Sequence, residues 1–296
     1  MLSQTLSPKE LAQLIGASES SLKRWIDSGR IKAHKTSGGH RRISIAEAIA
    51  FIRDNNMLIE RPDLLGLKTD PDLSGLPSTT DRSTILEKYL LDGHTEEAVS
   101  LCFSEYISGM SIGELCDTLI QPALKRIGCI WEHDRYGIVI EHRATDICLR
   151  IMNQLRFYLE PPTGPVVGIG GTPRGDVYLL PTLCAAVTLE SEGVTVNNLG
   201  ADVPFSSFLE AIERMNPSFV WLSLSHIDRV EDFRSEFEDF RFELESLSLP
   251  LILGGHALGK VEIPISPDIH IGKSMSDLVS IVRRIQGRPT NSTLTE

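Results

Sequence analysis

Apolar positions along this 296-residue chain recur with more than one period, and the changes of period divide it into segments. Near the N-terminus the spacing is helical and short. Leu11, Leu14 and Ile15 form a stripe behind Ser7-Pro8-Lys9-Glu10, a capping box with proline where its missing N–H costs nothing. The stripe stops at Gly16, and a second begins after Ser18 with Leu22, Trp25 and Ile26 inward and Lys23 and Arg24 outward, ending at Ser28-Gly29. Residues 30–43 then read as two short extended runs about Gly38-Gly39. Ser44-Ile45-Ala46-Glu47 opens a further capping box and a helix through Ile49, Ala50, Phe51 and Ile52. Two short helices joined by a tight turn and followed by a hairpin predict a winged helix-turn-helix over residues 1–55, whose second helix would enter a major groove.

Residues 56–82 carry no sustained period and many Pro, Asp and Thr, which predicts a linker. About 20 flexible residues would span about 25 Å. Helical spacing returns over residues 83–160, with breaks at Gly93, at 109–111 and at 128–137. One stripe is Ile112, Leu115, Leu119, Ala123, Leu124 and Ile127, and another is Cys148, Ile151, Met152 and Leu155. Short connections between such helices predict a four-helix bundle. Residues 161–287 alternate short apolar runs, at 166–169, 194–198, 219–224, 251–254 and 268–271, with helical segments, the last at 275–285. That alternation predicts a doubly wound, flavodoxin-like parallel sheet of five strands. The Gly/Pro-rich turn Gly170 to Asp176 would be its first strand-to-helix turn, where open α/β domains hold ligands. The polar residues 288–296 are expected to be a disordered tail. The fold class is therefore multidomain, α and α/β.

Charge adds a distinction that the pattern does not make. Residues 1–55 hold nine Lys/Arg against five Asp/Glu, while the whole chain is at −11. A basic module on an acidic body puts any polyanion binding at the N-terminus. Five widely spaced cysteines without a Cys-x-x-Cys pair suggest buried apolar residues rather than a disulfide or zinc framework, and no metal site is predicted. No run approaches the roughly 18 apolar residues of a membrane span, and the start lacks a signal peptide's apolar core. The expectation is a cytoplasmic protein that does not use the membrane.

Leu-Lys-Arg-Trp at 22–25 and Thr-Ser-Gly-Gly-His-Arg-Arg at 36–42 resemble the winged helix-turn-helix of MerR-type transcription regulators. The resemblance implies binding of double-stranded DNA, with Lys23 and Arg24 at bases or phosphates and Lys35, His40, Arg41 and Arg42 clamping the backbone. A homo-oligomer is implied too, since such proteins commonly read two half-sites.

The order of segments resembles, over nearly the whole chain, the CarH/LitR-type light-responsive repressors, whose cofactor is adenosylcobalamin. Trp131 followed after nine residues by Glu141-His142 is similar to the family's cap over the upper corrin face. The stretch from Gly171 through Thr172, Pro173, Arg174 and Gly175 resembles its turn, Ser223 and Ser225 its strand-end serine motif, and Gly254-Gly255 the glycine pair lining the slot for the nucleotide tail. The family's Asp-x-His-x-x-Gly, whose histidine is the lower cobalt ligand, here begins at Asp176 but has Tyr178 for the histidine and Pro181 for the glycine. Above the corrin, Glu132 follows the tryptophan where relatives often have histidine, and His133 lies one place on. The resemblance thus implies a pocket of corrinoid type with degenerate cobalt ligation. Three readings follow: a non-enzymatic DNA-binding regulator, a repressor sensing a ligand or light; a ligand-independent regulator binding a protein partner such as an antirepressor; and a corrinoid methyl carrier, which the basic wing disfavours.

Overall fold

The computed structural model describes residues 5–67, 79–131 and 137–287. They fall into two compact units, residues 1–160 and 161–296.

The first unit opens with the predicted winged fold. Strand β1 (Thr5–Leu6) leads into α1 (Pro8–Leu14), and α2 (Glu19–Asp27) follows. Both halves of the first capping box form: the Glu10 amide donates to Ser7 Oγ at 3.2 Å and the Ser7 amide donates to Glu10 Oε2 at 2.7 Å. The wing is β2 (His34–Lys35) against β3 (Arg41–Ser44), and β1 pairs with the other edge of β3, all antiparallel. Gly39, at φ +79°, supplies the left-handed residue of the hairpin turn. Helix α3 (Ile45–Asp54) is capped by Ser44, but the capping box expected here is not completed. The Glu47 carboxylate instead accepts from the Lys32 amide at 2.8 Å, fastening the start of the wing to α3. Leu11, Leu14, Leu22, Ile31, Ile43, Ile49 and Ile52 make the core.

Of the linker expected over 56–82, residues 60–67 are instead held to the winged domain and 79–82 begin the next helix. The amides of Glu60 and Arg61 donate to the Leu14 carbonyl, a short 3-10 turn forms at Pro62–Leu65, and Leu65 and Leu67 are buried. These leucines extend the core of the winged domain. Residues 68–78 of the expected linker, and the expected tail 288–296, lie outside the described residues.

Helices α4 (Thr79–Asp92), α5 (Thr95–Ile107), α6 (Ile112–Leu115), α7 (Gln121–Trp131) and α8 (Gly137–Phe157) form the bundle. A π-helical turn, Cys116–Ile120, joins α6 to α7 into one continuous rod, so the arrangement is the expected four-helix bundle. Leu86, Leu90, Leu101, Phe103, Leu115, Leu119, Ile127, Ile147, Ile151 and Leu155 fill its centre. Burial pushes the Cys102 and Cys148 thiols up, as it does for inert structural cysteines. Cys129 departs from the expectation of burial and is exposed.

The second unit is a parallel sheet of β4 (Gly168–Gly171), β5 (Val196–Asn198), β6 (Phe219–Ser223), β7 (Leu251–Gly254) and β8 (Ile269–Ile271), in the order β5-β4-β6-β7-β8. Helices α9 (Leu179–Ser191) and α12 (Met275–Ile285) contribute to the cluster on one face, and α10 (Phe205–Met215) and α11 (Val230–Ser246) to that on the other. This is the expected flavodoxin-like winding. The order reverses between β4 and β6, and the loops leaving those two strands border the crevice where such sheets take ligands.

Candidate functional site

The winged domain gathers its cations around a cleft of about 510 Å³ lined by Ser7, Pro8, Lys23, Asp27, Gly39, His40, Arg41 and Arg42. Helix α2 exposes Lys23 and Arg24, and the wing exposes Lys35 and His40. Arg41 and Arg42 are only half-exposed because each is held within the domain. Arg41 Nη2 lies 2.7 Å from Asp27 Oδ1, and Arg42 Nη1 lies 3.5 Å from Glu10 Oε2. In the sequence Glu10 reads only as a capping residue, and Asp27 is not singled out, since a lone Asp at a helix end looks like a solvated charge. Their effect is to fix two guanidinium groups at the rim between α1, α2 and the wing.

The bundle's candidate cap residues are placed in part. Trp131 ends α7, and its side chain, with Glu132 and His133, lies outside what the structure describes. On α8, Glu141 is half-buried and accepts from Thr145 Oγ1 at 3.4 Å, while His142 is exposed with Nε2 3.6 Å from Glu141 Oε2.

At the α/β crevice the expected residues do converge. Thr172 is buried; its hydroxyl donates to the Asp176 carbonyl and accepts from the Asp202 amide at 3.0 Å. The Gly175 amide donates to Asp202 Oδ1 at 2.8 Å, with Gly175 at φ +87°. Asp176 is fully buried, yet among the described residues its carboxylate takes no hydrogen bond from an imidazole. It accepts from the amides of Tyr178 at 3.1 Å, Ser225 at 2.6 Å and His226 at 3.0 Å. The acid therefore spans the crevice, tying the β4 turn to the loop after β6. Tyr178 precedes α9, half-exposed, its ring centroid 6.3 Å from that of His226. Ser223 and Ser225 are buried. Gly254 ends β7, and Gly255, at φ +110°, passes so close to the Leu224 backbone that a Cβ would overlap it. Among the described residues no group of three or more His, Cys, Asp or Glu is placed to hold a metal.

Both parts of this arrangement have relatives. Residues 5–56 match the helix-turn-helix domain family, and residues 85–156 match the B12 binding domain family. Over 96% of its length the chain is 25% identical to the whole of the HTH-type transcriptional repressor CarA of Myxococcus xanthus. Over 49% of its length it is 23% identical to 69% of dimethylamine corrinoid protein 2 of Methanosarcina acetivorans. The solved monomethylamine corrinoid protein of Methanosarcina barkeri superposes with a TM-score of 0.51, covering 70% of this chain and 100% of that one at 14% identity, a likeness of fold. A helix-turn-helix domain thus precedes a body of corrinoid-protein fold.

Cobalamin is the ligand that the B12 binding domain implies, and the donor set can be compared with it. A histidine-ligated cobalt needs an imidazole at position 178 with its far nitrogen held by a carboxylate. The chain offers a phenol there, and the carboxylate of Asp176 is engaged by three backbone amides. At position 178 the residue present does not fit a corrinoid held by protein imidazole.

Proposed function

We propose that this chain is a transcriptional repressor that binds double-stranded DNA through its winged helix-turn-helix, as a homo-oligomer, and carries out no catalysis itself. The observation that carries the reading is the cation-rimmed cleft between α2 and the wing, with Lys23 exposed and Arg41 and Arg42 held in place by Asp27 and Glu10. The α2 cations would approach the major groove while the wing meets phosphates. The full-length similarity to a transcriptional repressor supports the order of parts. Among the described residues no helix is long and apolar enough to cross a membrane, and the site of action is the DNA of the cytoplasm.

The body sets whether the DNA-binding form persists. One reading is regulation by a corrinoid held without protein imidazole on cobalt. Tyr178 in place of an imidazole, with Asp176 engaged by backbone amides, favours a second, in which the body responds to a protein partner of antirepressor type. Selection of duplexes from a random-sequence pool by the full-length chain tests the proposal. Enrichment of a recurring, two-fold related motif is expected, and failure to retain duplex DNA even at low salt would refute it.

A further inference from the structure

Trp221 sits at the centre of the sheet, on the face the tail slot would use. Side chains along a strand alternate between faces, so Trp221 shares a face with Ser223, and Ile252 shares one with Gly254. The parallel register sets Ser223 beside Gly254 and Trp221 between Gly170 and Ile252. Trp221 and Ile252 belong to the cluster formed with Ala185, Ala186 and Leu189 of α9 and Leu278 and Ile281 of α12. The space under Ser223 and Gly254, between the sheet and α9 and α12, is therefore the space that the indole enters.

The indole fills it closely. Trp221 is 2% exposed, and its ring covers Gly170 so that a Cβ on that glycine would overlap it. Phe219 covers Gly168 in the same way. The glycines of β4 thus make room for the protein's own aromatic rings. Hydrogen bonding is also complete around the ring. Trp221 Nε1 donates to Thr182 Oγ1 at 3.2 Å, Thr182 donates to Asn198 Oδ1 at 2.9 Å, and Asn198 Oδ1 also accepts from the Gly200 amide at 3.1 Å. A buried aromatic N–H of this kind needs a partner, and here the partner is built in.

We infer that Trp221 is a permanent internal occupant of the tail slot, its flat bicyclic indole lying where the benzimidazole base of a corrinoid's nucleotide tail would go. Indole and benzimidazole are fused five- and six-membered rings of nearly the same size, and a close-packed interior has no room for both. The α/β unit is consequently complete without a cofactor and admits no tail. The resemblance to corrinoid-binding repressors supplies only the placing of the slot; DNA binding does not depend on this inference.

The test compares two corrinoids on the full-length protein: adenosylcobalamin, which carries the nucleotide tail, and cobinamide, which lacks it. Wild type is expected to bind them within threefold of one another, or to bind neither. Trp221→Ala empties the slot, and adenosylcobalamin retention should rise at least tenfold over wild type while cobinamide binding stays unchanged. Added 5,6-dimethylbenzimidazole should raise the melting temperature of that variant and not of wild type. A wild-type preference of tenfold or more for adenosylcobalamin overturns the inference, as does a folded Trp221→Ala protein with no tail-dependent gain. Should the variant fail to fold, the wild-type comparison decides alone. Duplex affinity measured on the same wild-type preparation separates the two claims, because a protein that takes up the tail and still binds DNA contradicts only the occupied slot.

Discussion

The Asp176 carboxylate accepts the Ser225 amide at 2.6 Å across the point where the strand order of the sheet reverses. With the His226 amide on the same oxygen and the Tyr178 amide on the other, one acid closes three backbone donors that burial would otherwise leave unpaired. Asp176→Ala should cost about 3 kcal/mol, the range for removing a buried charged acceptor. Asp176→Asn should cost less, since it keeps one acceptor and turns an NH2 toward a donor. Urea unfolding followed by a probe in the α/β unit checks this; a midpoint within error of wild type for Asp176→Ala would contradict the bridge.

Arg41 and Arg42 are predicted to act on phosphates, so replacing both by alanine should weaken binding to all duplexes alike. The dependence of log affinity on log salt should become shallower by about two counterions. Asp27→Asn releases Arg41 from its partner, and the loss of positioning should weaken binding less than Arg41→Ala does. Fluorescence anisotropy across a salt series reads both effects. An unchanged slope in the double variant would remove the wing from the interface.

Arg53 links α3 to the bundle. Its guanidinium lies 4.0 Å from the Tyr106 ring centroid, and Nη1 donates to the Met110 carbonyl at 3.0 Å. Burial pushes the Tyr106 phenol up, so the ring stays neutral and available as a π surface at physiological pH. Arg53→Ala should destabilise the first unit by about 1 to 2 kcal/mol through loss of the stacked cation and its hydrogen bond. Arg53→Lys should recover only part of this, because an ammonium does not stack as a guanidinium does. Differential scanning calorimetry with both variants is the check; full rescue by lysine would show that charge alone matters.

Glu10 introduces an acid sensitivity into the winged domain. Hydrogen bonds from the Ser7 amide and hydroxyl, with Arg42 nearby, hold its carboxyl below the ordinary glutamate value. A folded-state value below the unfolded one makes the contribution complete above the unfolded value and lost as pH falls through the folded one. Thermal melts of wild type and Glu10→Gln should therefore differ at neutral pH and converge once the pH has fallen through the lowered folded-state value. A difference that persists at the lowest pH would show that the cap acts without its charge. Ser7→Ala should cost about 1 kcal/mol by removing the other half of the box.

Most of the fold could be read from the sequence because its signals are local. The capping serines at 7, 18 and 44, the Gly-Gly hairpin and the five apolar runs each specify their element without help from distant residues. What escaped depends on contacts between segments. Glu47 had the spacing of a capping residue, but the Lys32 amide was nearer in the folded chain. Leu65 and Leu67 are too few to make a period, yet they dock where α1 leaves its last carbonyl open. At the crevice, the departure at Tyr178 was visible as a missing histidine. The reason Asp176 remains was not, since its partners are backbone amides that any residues at 225 and 226 supply. Trp221 read as an ordinary apolar strand residue, and only the sheet register sets its ring over Gly170.

We propose a DNA-binding regulator that makes no histidine-on-cobalt complex, with Tyr178 where an imidazole would ligate. Its most direct test is the duplex affinity of the full-length protein, for a selected sequence, measured without corrinoid, with adenosylcobalamin in the dark, and again after green light. The account predicts nanomolar-range specific binding, on the order of 10⁻⁸ M, that agrees within threefold across the three conditions. Binding that tightens tenfold or more with adenosylcobalamin in the dark and is lost on illumination, with a photoproduct carrying two histidine nitrogens on cobalt, would contradict it.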